Sequence, residues 1–520
     1  MCLTLCGREG PALWSEGACD PDDLEDVIAQ LVTFCAAGMR AKAAKKVLAP
    51  IVLALGLVGC VSAPEKQAPP ESLPIPEVWS ESGGISESER PLWWEAFMSD
   101  ELTALLKEGF AGNPDLQAMV ARVEAAGANA RIAGADLYPS LSAGLNGLRQ
   151  KQNFIGFPIP GSTSNVLSTQ ATTYGLSLST SWEIDLWGRV RAGRRAALAD
   201  SEAALADLQM RKLSLAAQLS KAWVGAVAAA EQLRVAVASA ESFRETAAKI
   251  EDRYEQGLRT VLELRLSVNS VATADALVEE RRQQLHRALQ QLELLLGRYP
   301  AGKIQVNGPL PPLRGAVAAG IPSRVVERRP DLVAAERRLA AADQRLWQSR
   351  AALFPQISLT SSTGTSTAEL NDLLDTGFSV WSLAGNLAQP ILQGGRLRAG
   401  VDLSKAQTRE AAALYVGAVL QAFSEVEFAL TSETLLKNRE GHIRLAAAES
   451  EAALVLANRR YESGLEELIN VLESQRRSLS DAIQVIDVQR ARLLNRIDLY
   501  LALGGGEGLG LYMETLPENL

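Results

Sequence analysis

The sequence predicts a mainly α chain with a small β part, laid out as a twofold internal repeat of long antiparallel helices plus β-hairpins. Three observations predict it. Two runs rich in Ala, Leu, Glu and Arg, Arg189–Arg298 and Ile391–Leu503, contain no proline, the composition of extended helices. Two shorter regions alternate apolar residues with Ser, Gly and Thr, the period of half-buried strands. The punctuation of the first half also returns in the second. Asn113-Pro114-Asp115-Leu116 comes back as Arg329-Pro330-Asp331-Leu332, and Tyr138-Pro139 as Phe354-Pro355, each 216 residues on. Gly188-Arg189 comes back as Gly395-Arg396, Tyr254 and Gly257-Leu258 as Tyr461 and Gly464-Leu465, and Leu296-Gly297 as Leu503-Gly504, each 207 residues on. The displacement drops by nine between the Pro and Gly-Arg anchors, so the second hairpin is nine residues shorter and the helices match without insertion.

In chain order, residues 1–38 show no pattern and read as upstream read-through. Met39 then opens a positive stretch, Arg40 to Lys46, followed by an apolar run, Val47 to Leu57, too short to span a membrane as a mature helix. With Leu57-Val58-Gly59-Cys60, residues 39–59 read as a lipoprotein signal peptide ending in a lipobox. Cys60 is then the acylated residue, because only a thiol forms the thioether to diacylglycerol. The open alternatives are a signal peptide cut elsewhere or a short buried helix. Val61 rather than Asp after Cys60 fits outer-membrane sorting. Residues 60–90, rich in Pro, Ser and Glu, read as a lipid-anchored tether. Trp93-Trp94 then opens the first structural repeat, 91–300. The pair fits either packing against the long helices or a membrane-interface anchor.

Asp100–Phe110 reads as a short amphipathic helix capped by Ser99 or Asp100. A helix from Pro114 to Leu137 follows, then a β-hairpin at about 139–182 with its loop at 149–172, then a helical hairpin at 189–298 turning at Gly257. Residues 301–328 form a linker and equatorial segment. The second repeat, 329–504, carries a β-hairpin at about 356–387 and a helical hairpin at 393–503, and 505–520 is a tail. The strand Phe378–Leu387 alternates poorly. Leu465, Leu472, Leu479, Ile486 and Leu493 recur every seven residues, which predicts left-handed supercoiling against neighbours. The helix before each turn should be on the order of 100 Å long.

Composition excludes other classes. The formal net charge is −9 with no long basic block, which disfavours nucleic acid as a partner. The two histidines, His286 and His442, lie far apart in polar helical runs and read as solvated surface residues. All five cysteines fall at or before Cys60, so no disulfide framework or thiolate zinc site exists beyond it. No phosphate-binding glycine loop occurs, no cofactor is implied, and no nucleophile–base or paired-carboxylate constellation stands out, so the chain reads as no enzyme.

Four candidate strands with apolar and small polar faces suit a membrane barrel with a wet lumen, yet about eight is the smallest such barrel. Unpaired edges in lipid have no water to satisfy them. Membrane strands here therefore require further subunits.

The twofold repeat, Trp93-Trp94, the two Pro-Asp-Leu starts, Gly394-Gly395-Arg396 after the strand and the two Tyr-x-x-Gly turns together resemble the TolC/OprM family of outer-membrane efflux factors. With its lipobox, the chain is most similar to the lipoprotein, NodT-like branch. The resemblance spans roughly 90–510. It implies a homotrimer with a twelve-stranded outer-membrane β-barrel that continues into a periplasmic α-helical barrel. It also implies a periplasmic membrane-fusion adaptor and an inner-membrane efflux pump as partners. The turns become the far end of the tunnel, with Gly257, Leu258, Gly464 and Leu465 as adaptor contacts. Ile469 and Glu473, four apart on one helix face, become the periplasmic gate. There Glu473 is either a ring carboxylate, where relatives usually carry Asp, or a solvated surface charge. The implied function is a passive duct carrying substrates across the outer membrane. The alternative is a non-pore periplasmic coiled-coil structural lipoprotein. The cargo is not legible.

Overall fold

The computed structural model describes residues 76, 78–80, 93–155, 166–313, 315, 317, 320 and 322–505. Cys60 and the segments read as leader, most of the tether, the first hairpin's tip and the tail lie outside them. The elements in order are α1 (Asp100–Gly112), α2 (Pro114–Ala135), β1 (Ser140–Ile155), β2 (Val166–Ile184), α3 (Arg189–Glu255), α4 (Val261–Leu295), α5 (Pro322–Arg328), α6 (Pro330–Ala351), β3 (Gln356–Thr367), β4 (Ser379–Ala388), α7 (Arg396–Glu462) and α8 (Leu468–Ala502). The repeat is metrical. α2 and α6 have 22 residues each, α3 and α7 have 67, and α4 and α8 have 35.

Capping chemistry sets those lengths. Ser99 caps α1 by accepting from Leu102 N. Asn113 caps α2, with Pro114 in the first turn, where its missing N–H costs nothing. α3, α4, α7 and α8 all stop by the same device. At the end of α3, Gly257 takes φ +73, its N–H donates to Tyr254 O (2.8 Å), and Leu258 N–H donates to Arg253 O (2.8 Å). Gly464 does the same with Tyr461 O (3.0 Å), and Leu465 with Arg460 O (2.8 Å). This pair of bonds is a Schellman cap, and a left-handed residue is required at its glycine. Gly297 and Gly504 close α4 and α8 in the same way. The recurring Tyr-x-x-Gly and Leu-Gly signals are thus helix stops.

The four strands form one antiparallel sheet in the order β1-β2-β3-β4. The register puts Leu141, Ala143 and Leu145 on one face, with Leu176, Leu178 and Trp182 of β2, Leu359 of β3, and Trp381, Leu383 and Leu387 of β4. The other face carries Ser140, Ser142, Gly144, Asn146, Ser177, Ser179, Ser358, Ser362, Gly364, Ser382 and Asn386. The second strand of each hairpin obeys the same rule, including the poorly alternating one. Val380 and Ala384 share the polar face and blur its pattern. β1 and β4 each pair on one side only, so both outer edges are open. Shifting β1 by 216 and β2 by 207 carries Ser140↔Ser181 onto Gln356↔Ala388, and Leu141↔Thr180 onto Ile357↔Leu387. The two hairpins are therefore superposable in register.

Helix α3 is the spine, packing on α2, α4, α6 and α8, while α7 packs on α6 and α8. The largest core lies where α1 meets α3, α4 and α8. It contains Trp93, Trp94, Phe110, Leu219, Trp223, Leu292 and Leu493. Trp93 stacks on Tyr500 at 5.5 Å and both tryptophans are buried, so they act in packing and not as a membrane-interface anchor. Trp79 is buried beside Val325, Val426 and Leu430, and Ser80 N donates to Glu427 Oε1 (3.0 Å), tying this part of the tether to the second repeat.

The repeat conserves bonds while changing the side chains that make them. Asn113 Nδ2 donates to Leu295 O (2.9 Å), and Arg329 Nη1 to the equivalent Ala502 O (3.2 Å). Trp182 Nε1 donates to Leu137 O (3.0 Å), and Gln389 Nε2 to the equivalent Leu353 O (3.1 Å). One expectation is corrected. Of the five heptad positions, Leu472, Ile486 and Leu493 are buried and Leu479 is half-buried, but Leu465 is 68% exposed. It sits beyond the glycine stop, in the turn before α8 begins, where no neighbouring helix reaches it.

Candidate functional site

The two helical turns meet at one end of the rods. Tyr461 is buried there, with the Arg259 guanidinium 4.7 Å and that of Arg253 5.8 Å from its ring centroid, a cation–π clasp joining the two repeats. Lys249 pairs with Glu462 across the same joint at 3.6 Å. Beneath it, Phe243, Ile250, Ala274, Val278, Leu468, Val471 and Leu472 make an apolar plug. Thr260 and Glu263 form a reciprocal capping box that starts α4. α8 starts instead on Glu467, with no side-chain cap. There the preceding carboxylate, Glu466, accepts from Asn470 Nδ2 (2.6 Å) and pairs with Arg460 (3.1 Å). Both contacts, the Asn470 bond first, hold the Glu466 carboxyl below its usual range.

Leu258 and Leu465 project from these turns, 67% and 68% exposed, and no atom lies near the place of a Cβ on Gly257 or Gly464. Ile469 and Glu473 lie in the first two turns of α8, both exposed. Glu473 is not a bare charge, because Arg476 ion-pairs with it one turn on. The sequence reading missed this partner. Its signal was present in the i, i+3 spacing of opposite charges on one helix face. It also missed the Arg253–Tyr461–Arg259 clasp, which joins residues more than 200 apart in the chain and so leaves no local pattern. Among the described residues, no group of three His, Cys, Asp or Glu stands close enough together to hold a metal ion.

At the opposite end of α3 and α7 stands the sheet. Asp185 accepts from Val190 N (3.1 Å) and Arg191 N (2.8 Å), and Glu183 pairs twice with Arg189, at 3.0 and 2.7 Å. Trp187 stacks on Phe354 (5.1 Å) and its Nε1 donates to Pro355 O at 2.7 Å. The sheet is thereby fixed rigidly to the rods. A strand surface of Leu and Trp backed by one of Ser, Gly and Asn, set on helices about 100 Å long, suits a lipid-facing wall with a wet interior and a long extension into water.

Known proteins carry the same design. The family model described as outer membrane efflux protein matches residues 105–298 and 321–505, one span in each repeat. This chain belongs to the outer membrane efflux protein family. Outer membrane protein OprJ of Pseudomonas aeruginosa is 35% identical over 462 residues, covering 88% of this chain and 95% of OprJ. Cation efflux system protein CusC of Escherichia coli is 27% identical over 473 residues, covering 88% and 99%. The open state of the Neisseria gonorrhoeae MtrE outer membrane channel superposes with a TM-score of 0.74 at 27% identity, covering 86% of this chain and 98% of that one. The chain is an outer-membrane efflux channel, seated in the outer membrane and extending into the periplasm. These two relatives are named as an outer membrane protein and a cation efflux system protein, not as enzymes. The channel's two 67-residue helices each hold an 18-residue window apolar enough to cross a membrane by length and composition. The apolarity of α3 serves helix packing, since 61% of its window is buried within the chain, against 33% of the α7 window.

Proposed function

We propose that three copies of this channel pool their sheets into one twelve-stranded barrel and their helices into one periplasmic tunnel. The duct is passive, and an inner-membrane pump drives cargo through it by way of a periplasmic adaptor. The observation that carries this is the four-stranded sheet, whose large apolar residues gather mainly on one face and whose two outer edges are open among the described strands. In lipid those edges must be paired, and one chain supplies too few strands to close on itself. Three is the number of copies that the family resemblance suggests, and three sheets of four strands supply twelve. In this reading the repeats are 91–300 and 329–504, with 301–328 as the linker and equatorial segment. Gly257, Leu258, Gly464 and Leu465 form the adaptor-docking tip. Ile469 and Glu473 line the gate, with Arg476 offsetting part of the ring's negative charge.

Purified protein in a planar bilayer tests this. A trimer by light scattering that conducts, with Glu473→Ala conducting severalfold more at rest, is the expected result. A monomer without conductance would return the chain to a coiled-coil spacer. A conducting trimer unchanged by Glu473→Ala would remove Glu473 from the gate and leave the duct standing.

Cys60 is proposed as the lipid anchor on the motif before it. Cys60→Ala should abolish metabolic labelling with a radioactive fatty acid. Labelling that survives would assign the anchor elsewhere.

A further inference from the structure

Each helix of one repeat has a counterpart in the other, but the two copies are not equally covered. α3 lies under both α2 and α6, whereas α7 lies under α6 alone. Beneath the two helices, Ala192, Ala196, Ala199, Ala203 and Ala206 of α3 are buried. Their counterparts 207 residues on, Ala399, Leu403, Ala406, Glu410 and Ala413, are all exposed. The covering helices show the same imbalance. Ala334 and Ala341 of α6 are buried, while Ala118 and Ala125 of α2 are exposed. The repeat thus leaves one bare α7 face and one bare α2 face whose counterparts fit each other within a chain. Only a second copy can bring such faces together.

We propose that α2 of a second copy covers α7 as α6 covers α3, and that this seam between copies lacks the ion pairs that fasten its internal counterpart. The proposal rests on the trimer above. Within the chain, Arg337 pairs with Glu202 at 3.3 Å, Arg338 with Asp207, and Arg345 with Asp200. Moving each residue by its own repeat displacement turns these into Ala121 against Arg409, Arg122 against Leu414, and Asn129 against Gln407. None of the three pairs is kept at its equivalent position. Arg122 pairs with no carboxylate among the described residues and donates only to Met119 Sδ at 3.2 Å. Leu414 is 66% exposed. The Trp187–Phe354 stack is lost as well, its counterpart being Gly394 against Tyr138, and Tyr138 is 70% exposed. Without those three pairs and that stack, the seam between copies is the weaker of the two.

One substitution restores a missing pair. Leu414→Asp gives Arg122 of the neighbouring copy the partner that Arg338 has in Asp207. In the full-length protein in detergent, trimer dissociation should slow roughly two- to fivefold per seam, the size of a partly exposed ion pair. The gain should vanish when Arg122→Ala is added or when salt is raised. Arg122→Ala alone should change little. Gln407→Asp with Asn129→Arg restores a second pair and should act independently. Slowing that persists without Arg122, or no slowing in either pair while the protein remains trimeric, overturns the seam. A protein that is monomeric before any substitution overturns the trimer itself.

Discussion

Gly297→Ala should cost on the order of 3–5 kcal/mol and abolish assembly, a loss far beyond that of any other glycine stop in the helical hairpins. Two penalties combine. The residue sits at φ +77, where an L side chain costs roughly 1–2 kcal/mol. Its Cβ would also stand 2.3 Å from Gly112 O, a backbone atom that cannot swing aside. Gly112 is crowded in return, with Leu296 O 2.7 Å from its own Cβ position. The joint between α1 and α2 is thus pressed against the end of α4, where Asn113 also donates to Leu295 O. Gly257→Ala and Gly464→Ala share the positive φ but meet open space, so each should lose only the ~1–2 kcal/mol of backbone strain and still assemble. Unfolding in denaturant read by circular dichroism compares them. Equal losses at Gly297 and Gly257 would mean the close approach at the equator carries no stability of its own.

That contrast marks how far the sequence could be read. Proline, glycine and the tyrosine before each turn announce where helices start and stop, because capping is local chemistry. The twofold plan, the helix lengths and the tip with Gly257 and Gly464 were therefore legible. The reason one glycine tolerates a methyl and another does not lies in which backbone crosses it, and that contact joins residues nearly 200 apart. Leu465 kept a heptad interval but fell beyond its helix, since periodicity alone does not say where a helix begins. Trp182 and Gln389 share no chemistry a sequence comparison would pair, yet both donate to the same carbonyl of the repeat. At the proposed gate, Glu473 was picked by its distance from the turn, while its partner needed the helix phase to bring Arg476 beside it.

Long-range charge was the least legible feature, and it supports the second large effect. Arg496→Leu should destabilise the chain by about 1.5–3 kcal/mol, because it removes a charged hydrogen bond and leaves the half-buried Glu433 carboxylate only its longer Arg492 contact at 3.5 Å. Arg496, 5% exposed at its side chain, pairs with Glu433 at 2.5 Å and donates to Gly315 O at 3.2 Å. Arg492 bridges Glu433 and Glu440, and Arg444 closes the ladder on Glu440 at 2.7 Å. In the first repeat the positions of Glu433, Glu440, Arg492 and Arg496 are held by Ala226, Leu233, Leu285 and Leu289. The same helix pair therefore closes with a wholly apolar set. Installing that set at once, Glu433→Ala, Glu440→Leu, Arg492→Leu and Arg496→Leu, should be near neutral at pH 7, since it removes the desolvated charges together. Acid separates the two designs. Burial pushes the Glu440 carboxyl up, but Arg492 and Arg444 outweigh it and hold the group below its usual range. A carboxylate depressed in the folded state stabilises above its unfolded value of about 4.3 and loses that contribution as pH falls through the folded one. The parent should therefore weaken below about pH 4, and the fourfold variant should be spared that part of the loss. Denaturant midpoints at pH 7 and pH 3 measure both. A fourfold variant as damaged at pH 7 as Arg496→Leu would mean the ladder holds α7 against α8 in a way the apolar seam of the first repeat cannot replace.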